Sequence, residues 1–266
     1  MSTAPAPGPR RGYALVTGAS RGIGAAFAEA LAARGYPLIL TARSGPDLEA
    51  LAARLRRPEL AVEVVTADLA GDGAAALLRR IGERGWEVEL LVNNAGLGSI
   101  SPFTASVWER EREQIEVNTR ALVELAHGLA PAMQQRRSGA IINLASVAAS
   151  QPVPCMAGYA ASKAFVVSFS LALYGELRPA GVHVMALCPG STRTHFFEAA
   201  GVHVNAPMQS PEFVVRCALR GLDRRRAVVV CGFGNRVLAR ASAMMPRVLL
   251  VRVLGRLIAA RYPRLK

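Results

Sequence analysis

The stretch Tyr13-Ala-Leu-Val-Thr-Gly18-Ala-Ser-Arg-Gly22-Ile-Gly24 decides the fold of this 266-residue chain. Its apolar beginning is typical of a buried parallel strand, and the residues from Ala25 to Arg34 favour a helix. A strand, a tight turn and a helix N-terminus form an anion site, because backbone N–H groups and the positive end of the helix dipole face the ligand. A turn that merely needs glycine is the alternative. Three glycines favour a bound pyrophosphate, although their Gly-x-x-x-Gly-x-Gly spacing differs from the usual dinucleotide fingerprint.

Strand-like and helix-like segments alternate along the rest of the chain. Apolar runs lie at 13–17, 37–42, 61–66, 88–93, 139–145, 182–188 and 227–231, and helix-like segments lie at 22–34, 46–56, 72–84, 106–135, 156–178 and 210–222. The alternation predicts one α/β domain with a doubly wound (Rossmann) seven-stranded parallel sheet and helices on both faces. Ligands bind such a sheet at the carboxyl ends of its strands. Residues at these ends are Gly18, Arg43, Asp68, Asn94, Ser146 and Pro189.

Composition supports a folded protein, since 52% of the residues are hydrophobic and 19% are charged. We expect a mobile tail over 1–10, the Rossmann domain over 11–232, and a basic, apolar helical extension over 233–266. We expect no secretory signal, and no run approaches the length of about 18 apolar residues that a membrane-spanning helix needs. The four cysteines lack metal-ligand spacing, which predicts reduced thiols in a cytoplasmic protein.

Tyr159 and Lys163 lie four residues apart, thirteen residues after Ser146. Residues at i and i+4 share a helix face, so the phenol and the ammonium can reach one cleft. A nearby cation favours the phenolate, and we therefore expect the pKa of Tyr159 to lie below its usual value of about 10. Such a tyrosine can exchange a proton with a substrate oxygen. The same pair occurs by chance on surface helices, so its weight comes from the glycine turn in the same chain.

Several ordered motifs between about Gly12 and about Val230 make the chain resemble the short-chain dehydrogenase/reductase family. The segment from Thr17 to Gly24 resembles the family's glycine-rich cofactor motif, Asn93-Asn-Ala-Gly96 its motif after the fourth strand, and Pro189-Gly190 its turn after the sixth. The resemblance implies an oxidoreductase that reduces a ketone or aldehyde with NADP(H). It also implies four catalytic residues, which are Asn118, Ser146, Tyr159 and Lys163.

The resemblance further implies a role for each of the four. Ser146 would donate a hydrogen bond to the carbonyl oxygen, and Tyr159 would donate the proton. Lys163 would lower the pKa of Tyr159 and bind the cofactor ribose, while Asn118 would anchor a water. Structural alternatives are a strand-end cap for Ser146, a helix cap for Asn118 and a solvated position for Lys163. Lysine occurs only twice in the chain, against thirty arginines, which favours a specific use of its compact ammonium at Lys163.

The second strand ends in Arg43-Ser44, without the acidic residue that would bind the ribose 2′-hydroxyl of NAD. Arg43, with Arg21 from the glycine turn, can bind a 2′-phosphate, which favours NADP(H). Solvated surface arginines are the alternative, and Asp68 could instead cap a helix. By resemblance, the expected cofactor contacts are Gly18, Ser20, Arg21, Gly22, Ile23, Gly24, Arg43, Ser44, Asp68, Leu69, Asn94, Ala95, Gly96, Tyr159, Lys163, Pro189, Gly190, Thr192 and Thr194. No metal site is expected.

The resemblance places a substrate lid over 195–211. Its apolar residues are Phe196, Phe197, Val202, Val204 and Met208, and topology brings Leu97, Cys155 and Met156 near the same mouth. An apolar substrate is therefore expected: a 3-oxoacyl thioester or other lipid-like ketone, a steroid, or a small ketone. His195 and His203 are interpreted as lid or surface residues. A non-catalytic NADP-binding regulator or a membrane-surface protein on the same fold is the alternative, which the complete catalytic set disfavours.

The charge is concentrated at the end of the chain. The net charge is +13, and the segment 216–266 holds thirteen basic residues and one acid. Pro246 predicts two short helices there, and the arginines of the second do not share one face. The segment could pack on the domain or on a partner subunit, lie on an anionic membrane, or attract an acyl carrier protein or coenzyme A. We favour packing on the domain or in a homo-oligomer, dimer or tetramer, with the membrane surface second, and expect no nucleic-acid binding because no recognition motif is present.

Overall fold

The computed structural model describes residues 12–194, 196 and 208–261. Seven parallel strands form one sheet: β1 (Tyr13–Thr17), β2 (Leu38–Ala42), β3 (Val62–Thr66), β4 (Val88–Asn93), β5 (Ala140–Leu144), β6 (His183–Cys188) and β7 (Val228–Val230). Their order is β3-β2-β1-β4-β5-β6-β7, with Val16 of β1 opposite Leu40 on one side and Val92 on the other. The predicted doubly wound sheet is confirmed, and every strand ends within one residue of its expected limits.

Helices cover both faces of the sheet. They are α1 (Gly22–Ala33), α2 (Gly45–Leu55), α3 (Gly73–Glu83), α4 (Trp108–Ile115), α5 (Ala121–Arg136), α6 (Ala157–Leu177), α7 (Pro211–Asp223), α8 (Phe233–Met244) and α9 (Arg247–Arg261). The single helix predicted over 106–135 is wrong, because a π-helical turn, Glu116–Arg120, separates α4 from α5. Pro246 separates α8 from α9, as expected from its lack of a backbone N–H.

Alternating side chains of the strands supply two core layers. Val16 and Leu40 face the layer with Phe27 of α1, whereas Leu15 and Ile39 face the opposite layer, which holds the inner sides of α3, α5 and α6. All five side chains are fully buried, and each such burial contributes about 1.5–3 kcal/mol. From β1 the next strands are added toward one edge of the sheet, and from β4 toward the other edge. A crevice therefore opens at the carboxyl ends of β1 and β4.

Candidate active site

The glycine turn after β1 requires its glycines for two different reasons. Gly18 and Gly22 have φ of +62° and +58°, a region that residues with a side chain rarely adopt. A β-carbon at position 24 would lie 2.1 Å from the Gly18 carbonyl oxygen, so Gly24 allows α1 to pack against the turn. The N-cap of α1 is Arg21, whose side chain makes no capping hydrogen bond to the first turn of the helix. Backbone N–H groups at this helix end are thus available to an anionic ligand.

A threonine hydroxyl joins the glycine turn to the end of β4. Thr17 Oγ1 accepts hydrogen bonds from the backbone N–H groups of Asn94 and Ala95 at 3.0 and 2.9 Å. The Asn94 side chain donates in return to the carbonyl oxygens of Thr17 and Gly18 at 2.8 and 3.2 Å. These bonds fix two of the predicted cofactor motifs against each other. Sequence reasoning did not assign this function to Thr17, although its place directly before the first glycine was a usable signal.

Asn118 lies fully buried in the π-helical turn and does not cap a helix. Its Oδ1 accepts from Leu97 N at 2.9 Å, and its Nδ2 donates to Leu97 O at 2.9 Å and to Ser162 Oγ at 3.0 Å. The amide therefore holds the segment after β4 against α6. Gly96 lies between Asn118 and Lys163, since a β-carbon at position 96 would be 3.3 Å from both Asn118 Oδ1 and Lys163 Nζ.

Lys163 is only 3% exposed, which excludes the solvated alternative. Its Nζ donates a 2.7 Å hydrogen bond to the carbonyl oxygen of Leu144 and lies 5.8 Å from the centre of the Tyr159 ring. Burial lowers the pKa of Lys163 to about 8, with the nearby Cys188 thiol acting in the opposite direction. An ammonium in this position is stabilised mainly by one carbonyl dipole.

The expected lowering of the Tyr159 pKa by Lys163 is wrong for this structure. Burial raises the pKa of Tyr159 to about 12, and a hydrogen bond from Ser146 only partly offsets it. The ammonium of Lys163 is directed at Leu144, so the cost of burying a phenolate dominates. Ser146 caps the 3₁₀ turn Val147–Ser150 by accepting from Ala148 N at 3.1 Å, so its O–H remains a donor, here toward Tyr159.

The expected adenosine-side residues follow β2 and β3. Arg43 is exposed, and Ser44 caps α2 by accepting from Asp47 N at 3.4 Å. Asp68 accepts from Ala70 N at 3.0 Å and is not a helix cap, because α3 has Asp72 at its N-cap. Leu69 is buried in the core, so only its backbone can face a ligand.

The turn after β6 reaches across to the glycine turn. Thr192 is buried and donates to Gly190 O at 2.9 Å, and a β-carbon at position 22 would lie 2.9 Å from Thr194 Cγ2. Gly190 N donates to Gln209 Oε1 at 3.2 Å, which holds the turn beside the segment that leads into α7. Gln209 was missed by sequence reasoning, because nothing local marks its amide as a partner of a backbone nineteen residues away.

The model of the short chain dehydrogenase family matches residues 12–204. This chain belongs to the short-chain dehydrogenase family. A very-long-chain 3-oxoacyl-CoA reductase from Phaeosphaeria nodorum is 36% identical over 227 residues, which cover 82% of this chain and 65% of that protein. The chain thus spans less than two thirds of that relative's own length.

Two solved structures extend the comparison. A short-chain dehydrogenase from Sphingobium yanoikuyae in complex with NADPH is 39% identical and aligns over 88% of this chain and 93% of its own, with a TM-score of 0.80. The bulky-bulky ketone specific alcohol dehydrogenase from Comamonas testosteroni is 32% identical over 89% of this chain and 94% of its own, with a TM-score of 0.76.

On the expected substrate side of the crevice in this short-chain dehydrogenase, the aromatic ring of Phe196 faces Tyr159. Phe196 lies 5.2 Å from Tyr159, measured between ring centres, and a β-carbon at position 98 would be 2.2 Å from the Phe196 ring. The first part of the expected lid, His195 and 197–207, lies outside the described residues, whereas 208–211 is described. The described part of this wall is therefore apolar beside Tyr159.

A polar cluster that the sequence did not predict begins at Ser99, directly after the Gly98 that packs against Phe196. Ser99 Oγ donates to Glu111 Oε1 at 2.8 Å, and Ser99 N donates to Gln114 Oε1 at 3.0 Å. Glu111 and Gln114 are buried and leave no room for a β-carbon at position 158, directly before Tyr159. The cluster holds the segment after β4 against the first turn of α6. A Glu and a Gln three residues apart on a charged helix gave no signal that both face inward.

Proposed function

We propose that this dehydrogenase is an NADPH-dependent reductase that converts an apolar ketone or aldehyde to an alcohol, with Tyr159 as the proton donor. The observation that carries the proposal is the meeting of four side chains at one edge of the sheet. Asn118, Ser146, Tyr159 and Lys163 come from a π-helical turn, the segment after β5 and one helix. A β-carbon at Gly96, after β4, would lie 3.3 Å from Asn118 Oδ1 and from Lys163 Nζ, and Lys163 Nζ lies 5.8 Å from the Tyr159 ring centre.

The residues around the crevice fit a nicotinamide dinucleotide. The uncapped first turn of α1 and its tightly packed glycines suit the pyrophosphate, which carries negative charge and needs close approach to the backbone. Arg21 and Arg43 are exposed on adjoining loops, and both would hold the 2′-phosphate of NADPH. When bound, NADPH supplies the hydride of the reduction.

The raised pKa of Tyr159 has a direct chemical consequence. With a pKa of about 12, the phenol is protonated at neutral pH, which is the form that a proton donor requires. The Ser146 hydroxyl, whose oxygen already accepts from Ala148 N, donates to the substrate oxygen as negative charge develops there. Lys163 is charged below its pKa of about 8, and its ammonium would bind the ribose of NADPH.

Substrate class follows from the wall beside Tyr159. Phe196 contributes an aromatic face there, and the relatives include proteins named for 3-oxoacyl-CoA and bulky ketones. An acyl or other lipid-like ketone is therefore the proposed substrate class. The rival function, a non-catalytic NADP-binding regulator, would keep the dinucleotide crevice but not need a proton donor at position 159.

The test is a panel of ketones assayed by loss of NADPH absorbance at 340 nm. The panel contains short and long 3-oxoacyl thioesters, steroids and bulky aromatic ketones. Tyr159→Phe should reduce turnover at least about 100-fold, because proton transfer by a positioned side chain contributes about 10²–10⁴-fold. NADPH binding, followed by fluorescence, should stay within about threefold. Tyr174→Phe on the same helix is the matched control and should keep full activity.

Two results would contradict the proposal. A Tyr159→Phe variant as active as the wild type would exclude the phenol as proton donor. Tight NADPH binding with no turnover across the panel would favour the regulator.

We further infer a cytoplasmic homo-oligomer. Ile115 of α4 and Phe165 and Leu171 of α6 are exposed apolar side chains on two helices that pack against each other. A second copy of the chain is their proposed partner, since scattered aliphatic and aromatic side chains gain free energy by leaving water together.

A further inference from the structure

Exposed apolar side chains are concentrated on the last two helices. Fifteen large hydrophobic side chains are exposed in the described residues, and eight of them lie on α8 and α9. They are Phe233, Val237, Leu238, Met244, Val248, Leu249, Val253 and Leu257. Phe233 is 74% exposed and Met244 is 87% exposed. We call these eight side chains, together with the exposed arginines of α8 and α9, the extension surface.

The inner sides of both helices are fixed to the domain. Ser242 of α8 is buried and donates to Gln151 Oε1 at 2.7 Å. Leu250 of α9 is buried, and a β-carbon at position 255 would lie 3.8 Å from Pro154 Cγ. The prediction that this segment packs on the domain therefore holds for one side of each helix. These contacts determine which side remains uncovered.

The outer side of α9 combines aliphatic and cationic side chains. Leu250 is buried, whereas Val248 and Leu249, which point away from it around the helix, are exposed. Arg252 and Arg256, three and seven residues after Leu249 and therefore on its side of the helix, are exposed as well. Both sides of this helix are thus apolar, which explains why its sequence has no clean amphipathic period. Exposed aliphatic side chains gain free energy by leaving water, so the outer side would be stabilised by a partner that accepts hydrocarbon and positive charge together.

The charge of the segment selects among partners. Residues 224–266 contain eleven basic residues and no acidic residue. Pairing of this surface with the same surface of a second copy would place arginine against arginine without a carboxylate on either side, which is unfavourable. A bilayer with anionic headgroups offers negative charge directly above hydrocarbon. Arginine side chains can then reach the headgroups while the aliphatic side chains enter the acyl region.

We propose that the extension surface binds the interface of anionic lipid bilayers. In the described ranges 12–194 and 208–261, no helix is both long enough and apolar enough to cross a membrane. The helices of the extension surface contact segment 150–155, which leads from Ser146 to Tyr159 and whose Cys155 carbonyl accepts from Ser101 N at 3.0 Å. Membrane contact would therefore occur beside the substrate side of the crevice.

The test is sedimentation of the full chain with vesicles of phosphatidylcholine alone or with 30% phosphatidylglycerol. Binding is expected only to the anionic vesicles, and it should fall at least about tenfold between 0.1 and 1 M NaCl, because the screening length shortens from about 10 to about 3 Å. The triple variant Arg240→Gln, Arg252→Gln, Arg256→Gln should weaken binding about 100-fold, because each basic residue near an anionic surface contributes about 1 kcal/mol to the binding free energy.

Matched variants separate the surface from the net charge. Arg79→Gln, Arg84→Gln, Arg112→Gln removes three exposed arginines at α3 and α4 and should bind vesicles like the wild type. Leu249→Ser with Leu257→Ser removes apolar contacts and should weaken binding about tenfold at either salt concentration. Circular dichroism verifies the fold of each variant. Vesicle binding does not require turnover, so this test is independent of the proposed reduction.

Four outcomes would overturn the proposal. The first is equal binding to neutral and anionic vesicles, and the second is an equal loss of binding in both arginine triples. The third is a changed molecular mass of the lipid-free Leu249→Ser, Leu257→Ser variant in light scattering, which would assign the surface to a second copy. The fourth is salt-sensitive binding of an acidic acyl carrier protein together with absence from the vesicle pellet.

Discussion

Replacement of Lys163 by methionine tests the electrostatics of the site without any substrate. Two opposing effects are expected at neutral pH. The variant removes a buried ammonium, whose pKa falls from 10.5 to about 8, and this burial costs the folded state about 3 kcal/mol. It also leaves the Leu144 carbonyl without its 2.7 Å donor, which costs about 1–3 kcal/mol. The free energies of unfolding at pH 7 should therefore differ by no more than about 2 kcal/mol.

The pH dependence distinguishes the two effects. A lysine with a lowered pKa in the folded state is still protonated in the unfolded chain between about pH 8 and 10.5, so the unfolded state binds more protons there. Wild-type stability should consequently rise with pH through this window relative to the variant. With a folded-state pKa of about 8, the relative gain is about 2 kcal/mol between pH 7 and 9.5. In the folded state Tyr159 and Cys188, each with a pKa of about 12, titrate above this window, and their titration in the unfolded chain is the same in both proteins and cancels in the comparison.

Urea unfolding at pH 7 and 9.5, with a constant m value, measures this difference. Lys163→Gln is the matched variant: its absolute stability can differ from that of Lys163→Met, but its pH slope should be the same. Parallel pH profiles for the wild type and both variants would refute the reasoning, because they would mean that burial does not perturb the Lys163 ammonium.

Two other predictions concern the crevice. Thr17→Val should lower the free energy of unfolding by about 2–4 kcal/mol in urea titrations, because two backbone N–H groups lose their shared acceptor; Thr17→Ser keeps the hydroxyl and should lose about 1 kcal/mol or less. A Thr17→Val protein as stable as the wild type would contradict this account. Arg43→Asp should reduce the preference for NADPH over NADH at least about tenfold, measured as the ratio of dissociation constants, because it replaces a phosphate donor by a like charge. Arg79→Asp, the same charge change on α3, should leave the ratio unaltered, and an unaltered ratio in Arg43→Asp would exclude Arg43 from the 2′-phosphate site.

The sheet could be predicted closely because its strands are buried on both faces. Such strands appear as continuous apolar runs, and the run expected at 182–188 became β6 over His183–Cys188. Glycine positions were also informative, since Gly18 and Gly24 are required by backbone geometry and close packing that few other residues allow.

The π-helical turn at Glu116–Arg120 could not be predicted, because one extra residue in a helical turn changes the apolar period very little. Its consequence is local but important: it places Asn118 where its amide can bind both backbone groups of Leu97. The cluster of Ser99, Glu111 and Gln114 was missed for a related reason. A carboxylate on a charged helix is normally solvated, and only the approach of α6 buries this one.

The sequence by itself determined the strand and helix order, the glycine turn and the presence of a Tyr-x-x-x-Lys pair, since each depends on local pattern and spacing. Tertiary structure decided the direction of the Tyr159 pKa, because burial and the Lys163–Leu144 hydrogen bond are properties of packed neighbours. It also decided which side of α8 and α9 faces outward. Nothing local distinguishes two apolar sides of one helix, and only their contacts with segment 150–155 do so.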